Sequence, residues 1–180
     1  PYLSPFFGYS RGFDVIIDFG NRGQVLSKTK KAVFSLFKSK NVRRMIVRTR
    51  NFLSFLTWYF KNIPLNTDAE TILKEATRWV MQVRQPYFLW LHLMDTHTPY
   101  LPKHEILNEL GIKKFNVLRV VYKRFRRKKL NDKEFEFFKF LYDVQIFQVD
   151  RALSIYLPKL MKGGPENNYV IITADHGENL

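Results

Sequence analysis

Two apolar runs, Tyr87-Phe88-Leu89-Trp90-Leu91-His92-Leu93 and Tyr169-Val170-Ile171-Ile172-Thr173, each give way abruptly to a polar loop carrying aspartate and histidine. Neither run alternates cleanly between apolar and polar residues, which is the pattern of a strand covered on both faces in a parallel sheet. Residues 13–19, Phe-Asp-Val-Ile-Ile-Asp-Phe, are β-branched and apolar and are followed by Gly20-Asn21, so a further short strand is expected there. Helical periodicity fills the spaces between these runs. The order predicts an α/β fold, a mostly parallel sheet flanked by helices on both faces. In such sheets ligands bind beyond the carboxyl ends of the strands, and those ends are where the polar loops fall.

The helices carry their own start signals. Thr67-Asp68-Ala69-Glu70 reads as a capping box with the threonine as cap, and Ile72, Leu73, Ala76, Trp79, Val80 and Val83 then recur on one face until Pro86. Asn131-Asp132-Lys133-Glu134 opens a second helix that runs towards Leu160, with Phe137, Phe140, Leu141, Val144, Phe147, Leu153 and Leu157 as its expected core face. Lys113 to Lys129 is another helix, and His104 beside Glu105 begins one more. Phe52, Leu53, Phe55, Leu56, Trp58, Tyr59 and Phe60 form an aromatic cluster too short to span a bilayer, which needs about 20 apolar residues. Packing against the domain or a partner is the expected role, with a membrane interface as the alternative.

Composition narrows the chemistry. The 180 residues include no cysteine, which removes disulfides and thiolate metal sites and leaves oxygen and imidazole ligands. The net charge of +14 is concentrated in Lys28–Arg50 and Lys113–Lys129, neither of which contains an acidic residue. Such blocks are either solvated faces or surfaces attractive to a polyanion or an anionic membrane. No nucleic-acid motif accompanies them, so nucleic acid is not the expected partner. The chain opens on Pro1-Tyr2 without methionine and stops just after Asp175-His176-Gly177-Glu178, and is expected to be part of a longer protein whose location and oligomeric state stay open.

Asp175 and His176 offer a carboxylate and a neutral nitrogen donor in one loop, and Gly177 makes a turn between them cheap, so both can reach one divalent cation. His97 supplies an imidazole, which can hold an oxyanion or protonate a leaving group. Asp95 is read as a turn cap or a metal ligand, with capping preferred, and His92 as a core residue inside its strand.

Taken in order, Phe88 to Tyr100, Tyr142 to Asp150 and Ile171 to Glu178 resemble the succession found in sulfatases of the alkaline phosphatase superfamily. Tyr9-Ser10-Arg11-Gly12-Phe13-Asp14 is similar to the Gly-Phe-Asp element that precedes those motifs. The resemblance implies a hydrolase that cleaves sulfate esters through a covalent intermediate on a modified cysteine or serine. It implies Asp175 and His176 as metal ligands, usually to calcium, and His97 as the catalytic and substrate-binding histidine that contacts the sulfate. Asp150 is a recurring residue of the family and is expected to be structural. The family's nucleophile motif, its amino-terminal Asp pair and a later lysine are missing. Residues 1–180 are therefore expected to be the central part of one such domain, with basic helical insertions at about 25–61 and 104–130, and to be inactive alone. The alternatives are a phosphoester or phosphonate hydrolase or phosphoglycerol transferase of the same superfamily, using manganese, magnesium or zinc, and a non-catalytic basic module binding a polyanion. The implied substrate is a sulfated or phosphorylated molecule, with an anionic polymer suited to the basic blocks.

Overall fold

The structure, a computed structural model, describes residues 11–17, 55–61, 67–162 and 168–178. Its contacts divide the chain into two units, Pro1–Ser54 and Phe55–Leu180. The first is described over residues 11–17, which form a turn and an irregular stretch in which Phe13, Val15 and Ile17 are exposed. Residues 18 and 19 of the expected first strand, and the basic block Lys28–Arg50, lie outside the described residues.

The second unit is helical. Residues 55–61 are helical and are followed by α1 (Ala69–Val80), α2 (His104–Glu109), α3 (Lys114–Phe125) and α4 (Asp132–Lys162). α1 and α3 both pack on α4. The larger core gathers Phe55, Trp58, Tyr100, Val117, Phe138 and Leu141, each no more than 2% exposed. Trp58 is seated by its indole N–H, which donates to the Pro102 carbonyl at 3.1 Å. A smaller core joins Ala69 and Leu73 of α1 to Ala152 of α4, and Leu91 and Leu93 pack against it. Small residues at 69 and 152 let the two helix backbones approach, while Leu73 supplies about 1.5–3 kcal/mol of apolar burial.

The capping signals resolve differently at the two sites. At α4 the box closes reciprocally: Glu134 N–H donates to Asn131 Oδ1 at 2.9 Å and Asn131 N–H donates to Glu134 Oε2 at 3.1 Å. At α1 the cap is Asp68 rather than Thr67, its Oδ1 accepting from Thr71 N–H at 2.7 Å. Glu70 does not close a box there; it faces the Lys103 ammonium at 2.5 Å. A carboxylate is the better partner for the partial positive charge of a helix N-terminus, and Lys103 also holds Asp68 at 3.2 Å. The α4 face is rotated from expectation, with Phe138, Leu141, Val144, Gln148 and Ala152 buried while Phe140 and Phe147 remain nearly half exposed.

α2 and α3 end in the same hydrogen-bond pattern on different residues. After α2, Ile112 N–H reaches back to Leu107 O at 2.8 Å and Gly111 N–H to Asn108 O at 3.1 Å. After α3, Lys128 N–H reaches Lys123 O at 3.0 Å and Arg127 N–H reaches Arg124 O at 2.9 Å. Both are Schellman closures, which require a left-handed residue. Gly111 takes it at φ 65°, the usual solution, whereas Arg127 takes it at φ 53° with a full side chain.

The expected strands are where expectation and structure part. Tyr87–Leu93 lies outside any helix or ladder, but its burial alternates: Tyr87, Leu89, Leu91 and Leu93 are half-buried while Phe88, Trp90 and His92 are exposed. One side of the segment therefore rests on the α1–α4 core and the other faces outwards. His92 lies on the outward side, which corrects its reading as a core histidine. Residues 169–173 are exposed throughout and likewise unpaired. No sheet forms among the described residues, because a strand needs a neighbour to take its N–H and C=O groups, and these segments are not set against one another.

Candidate functional site: the loops carrying His97 and Asp175-His176

The loop after Tyr87–Leu93 is fixed at both ends by one side chain. Gln148, buried on α4, donates from Nε2 to Asp95 Oδ1 at 3.2 Å and accepts from Lys103 N–H at 2.9 Å. Asp95 Oδ1 also accepts from Ala69 N–H at the start of α1, 3.1 Å away. Asp95 is thus a clasp between loop, α1 and α4, in keeping with a structural role; its Oδ2 finds no partner among the described residues. Burial raises its pKa above the ordinary carboxylate value, against the pull of those hydrogen bonds.

His97 sits between the two fixed ends, with its backbone N–H donating to Met94 O at 3.2 Å. Its Nδ1 lies 2.7 Å from the Thr98 carbonyl. A carbonyl only accepts, so Nδ1 carries hydrogen and Nε2 is the nitrogen left to act. His97 lines a cleft of about 530 Å³ with Asp68, Asp95, Lys103, Glu109 and Arg151. The cations of that cleft are committed. Lys103 faces Asp68 and Glu70, and Arg151 holds both oxygens of Glu109 at 2.9 and 2.6 Å. Burial would raise the Asp68 pKa, but the Thr71 bonds and the Lys103 ammonium outweigh it and hold the carboxyl below its ordinary value. His97 is therefore the cleft's candidate for meeting an anionic group.

Asp175 and His176 lie in the loop after residues 168–173. The His176 backbone N–H donates to Asp175 Oδ1 at 3.0 Å, and His176 Nε2 stands 3.7 Å from Asp175 Oδ2. His176 Nδ1 is 2.7 Å from the Gly177 carbonyl, repeating the arrangement of His97 and again leaving Nε2 to act. The Gly177 contact and the Asp175 charge raise the His176 pKa above 6.5. Both side chains are mostly exposed. Gly177 is outside the left-handed region and a Cβ there would meet nothing within 4 Å, so the turn forms without needing glycine. One carboxylate oxygen and one imidazole nitrogen suit a divalent cation in kind, but the described residues contain no group of three or more His, Asp or Glu able to hold one. They fit as part of a ligand set rather than as a whole one.

The two loops are linked by residues that the sequence did not single out. The Tyr100 phenol, three positions after His97, is buried, and both that burial and the neighbouring Glu178 carboxylate raise its pKa far above the ordinary value. Its hydroxyl makes no hydrogen bond of good geometry, so the relationship is one of charge proximity. Glu178 lies two positions after His176, so the His97 loop and the Asp175-His176 loop approach one another. Asp175 and His176 do not themselves line the His97 cleft. Asp150 is exposed on α4. Gln148 had a sequence signal, an amide on the apolar face between Val144 and Ala152, whereas Tyr100 and Glu178 had none beyond nearness to the histidines.

Two histidines, each with Nδ1 on a backbone carbonyl, thus lie in loops that follow apolar segments, and His176 has the Asp175 carboxylate beside it. The sulfatase family model matches residues 8–180, and the chain belongs to the sulfatase family. It is a sulfatase-like hydrolase, and the family's fold is the α/β architecture of alkaline phosphatase. No curated protein and no solved structure matches the chain significantly.

Proposed function

We propose that this chain forms part of a metal-dependent hydrolase of sulfate esters, with Asp175 and His176 as two of the metal ligands and His97 as the imidazole that meets the sulfate. The observation that carries the reading is the sulfatase-family match over residues 8–180, within which both histidine loops fall. A divalent cation, calcium by family likeness, would supply charge stabilisation for the anionic ester. The chain's own residues do the rest of what can be derived. His97, protonated, donates from Nε2 to a sulfate oxygen, and its Nδ1–H, fixed on Thr98 O, orients the ring. The Asp95–Gln148 clasp keeps that ring at one position relative to α1 and α4.

The same reading holds that the chain is insufficient alone. It contains no cysteine, and no serine followed by Pro and Arg at the family's spacing, so the reacting nucleophile must come from outside these residues. Comparing aryl sulfates with phosphate monoesters and diesters on the full-length protein tests the assignment. Sulfate hydrolysis at least tenfold faster than phosphate hydrolysis is expected; the reverse preference would assign the site to phosphoryl chemistry.

A further inference from the structure

A second surface stands out on the outer face of α3. Nine lysines and arginines lie between Lys113 and Lys129 with no acidic residue among them. Val117, Val120 and Val121 turn inwards and are no more than 1% exposed. At 100° per residue Phe115, Arg119 and Arg126 then share the opposite face. Phe115 is 61% exposed within this cationic surface, and Phe60 is 73% exposed beside it. The Tyr59 ring meets Phe60 at 5.0 Å and the Lys114 ammonium at 5.6 Å, which sets Phe60 near the start of α3. At the other end of the helix Phe125, 40% exposed, rests on Phe55. Part of the charge is locally engaged, since Lys123 pairs with Glu134 at 2.6 Å and Arg119 acts on the same carboxylate. Arg126, Arg127, Lys128 and Lys129, in the exposed run after the helix, extend the charge further.

Arg127 carries one of these charges at a strained backbone position. It occupies a left-handed position at φ 53°, where the equivalent closure of α2 places Gly111. A glycine would relieve the Cβ strain, so the arginine is held at a local cost, as residues at working surfaces often are.

We propose that the outer face of α3 and the basic run after it dock on an anionic lipid bilayer. The cations meet lipid phosphate and carboxylate groups, while Phe115 enters the boundary between headgroups and acyl chains. The exposed phenyl favours one partner: a bilayer offers apolar depth directly beneath its anionic surface, which a hydrated sulfated polymer does not. Among the described residues no helix is long and apolar enough to cross a membrane.

The test is sedimentation of the full chain with vesicles of phosphatidylcholine alone or mixed with phosphatidylserine. Binding is expected only to the anionic vesicles, falling as salt is raised. Arg127→Gly should raise the unfolding midpoint yet weaken vesicle binding roughly fivefold, one charge's share. Opposite signs in two readouts cannot arise from misfolding. Phe115→Ser should weaken binding severalfold and leave its salt dependence intact, and a combined Arg126→Gln, Lys128→Gln, Lys129→Gln variant should weaken binding by roughly a hundredfold. Exchanging the exposed Lys74 and Arg84 for Gln serves as a control and should change binding far less. Equal binding to neutral vesicles, or no loss in the combined variant, would overturn the proposal. So would binding confined to heparin or single-stranded DNA and indifferent to Phe115.

Discussion

Gln148 and Asp95 are 53 positions apart in sequence and share a buried hydrogen bond of 3.2 Å, by which a helix interior fixes the loop that carries His97. Because Gln148 also takes the Lys103 N–H, its loss leaves that donor without a partner and Asp95 Oδ1 with the Ala69 N–H alone. Gln148→Leu should cost about 1–3 kcal/mol, the cost of one buried polar group left without a partner. Chemical denaturation measures it. Gln148→Glu should be worse at neutral pH than at acid pH, because it sets a second carboxylate against Asp95, and an unchanged midpoint in both variants would remove the clasp from the account.

Asp95 makes stability depend on pH. Its folded pKa lies above the ordinary 3.8, so the folded state binds its proton more tightly than the unfolded state does. That contribution is fully present below 3.8 and is lost as pH rises through the folded value. Asp95→Asn keeps the acceptor oxygen and removes the charge, so its stability relative to the parent should grow across that window. Asp68, held below its ordinary value, has the opposite sign, its contribution being present above 3.8 and lost on acidification. Unfolding midpoints of the parent and Asp95→Asn across acid to neutral pH separate the two, and parallel curves would contradict the assignment.

Trp58 joins the 55–61 helix to the loop after His97 through the Pro102 carbonyl. Trp58→Ala should destabilise by about 3–5 kcal/mol through lost burial, and Trp58→Phe by less, mainly through the lost hydrogen bond. Equal losses would mean that the indole N–H contributes nothing.

Gly177→Ala should leave stability within about 0.5 kcal/mol, because the backbone there is ordinary and the space for a Cβ is open. A loss of catalysis without a loss of stability would show that a ligand approaches this backbone closely.

Local chemistry was legible in the sequence, and long-range pairing was not. The α4 box at Asn131 and Glu134 could be read because its partners are three residues apart. At α1, Thr67 and Asp68 are both competent caps, and what favours the aspartate includes Lys103, which no local pattern contains. The rotated α4 face follows from packing of α1 and α3, which buries Gln148 and leaves Phe140 outside. Tyr87–Leu93 and residues 169–173 have strand composition, but a ladder is a property of two segments and neither pairs among the described residues. The histidines of the site could be located by the loops they occupy; Tyr100 and Glu178, which relate those loops, are 78 positions apart and became visible only in three dimensions.

The central claim is that Asp175 and His176 hold the metal of a sulfate-ester hydrolase. Its most direct test is calcium binding by calorimetry, together with aryl-sulfate turnover, in the full-length protein and its Asp175→Ala variant. The account predicts that the variant loses at least a hundredfold in turnover, about 2.7 kcal/mol of transition-state stabilisation, and binds calcium more weakly in parallel. Unchanged turnover and unchanged calcium affinity in Asp175→Ala would contradict it.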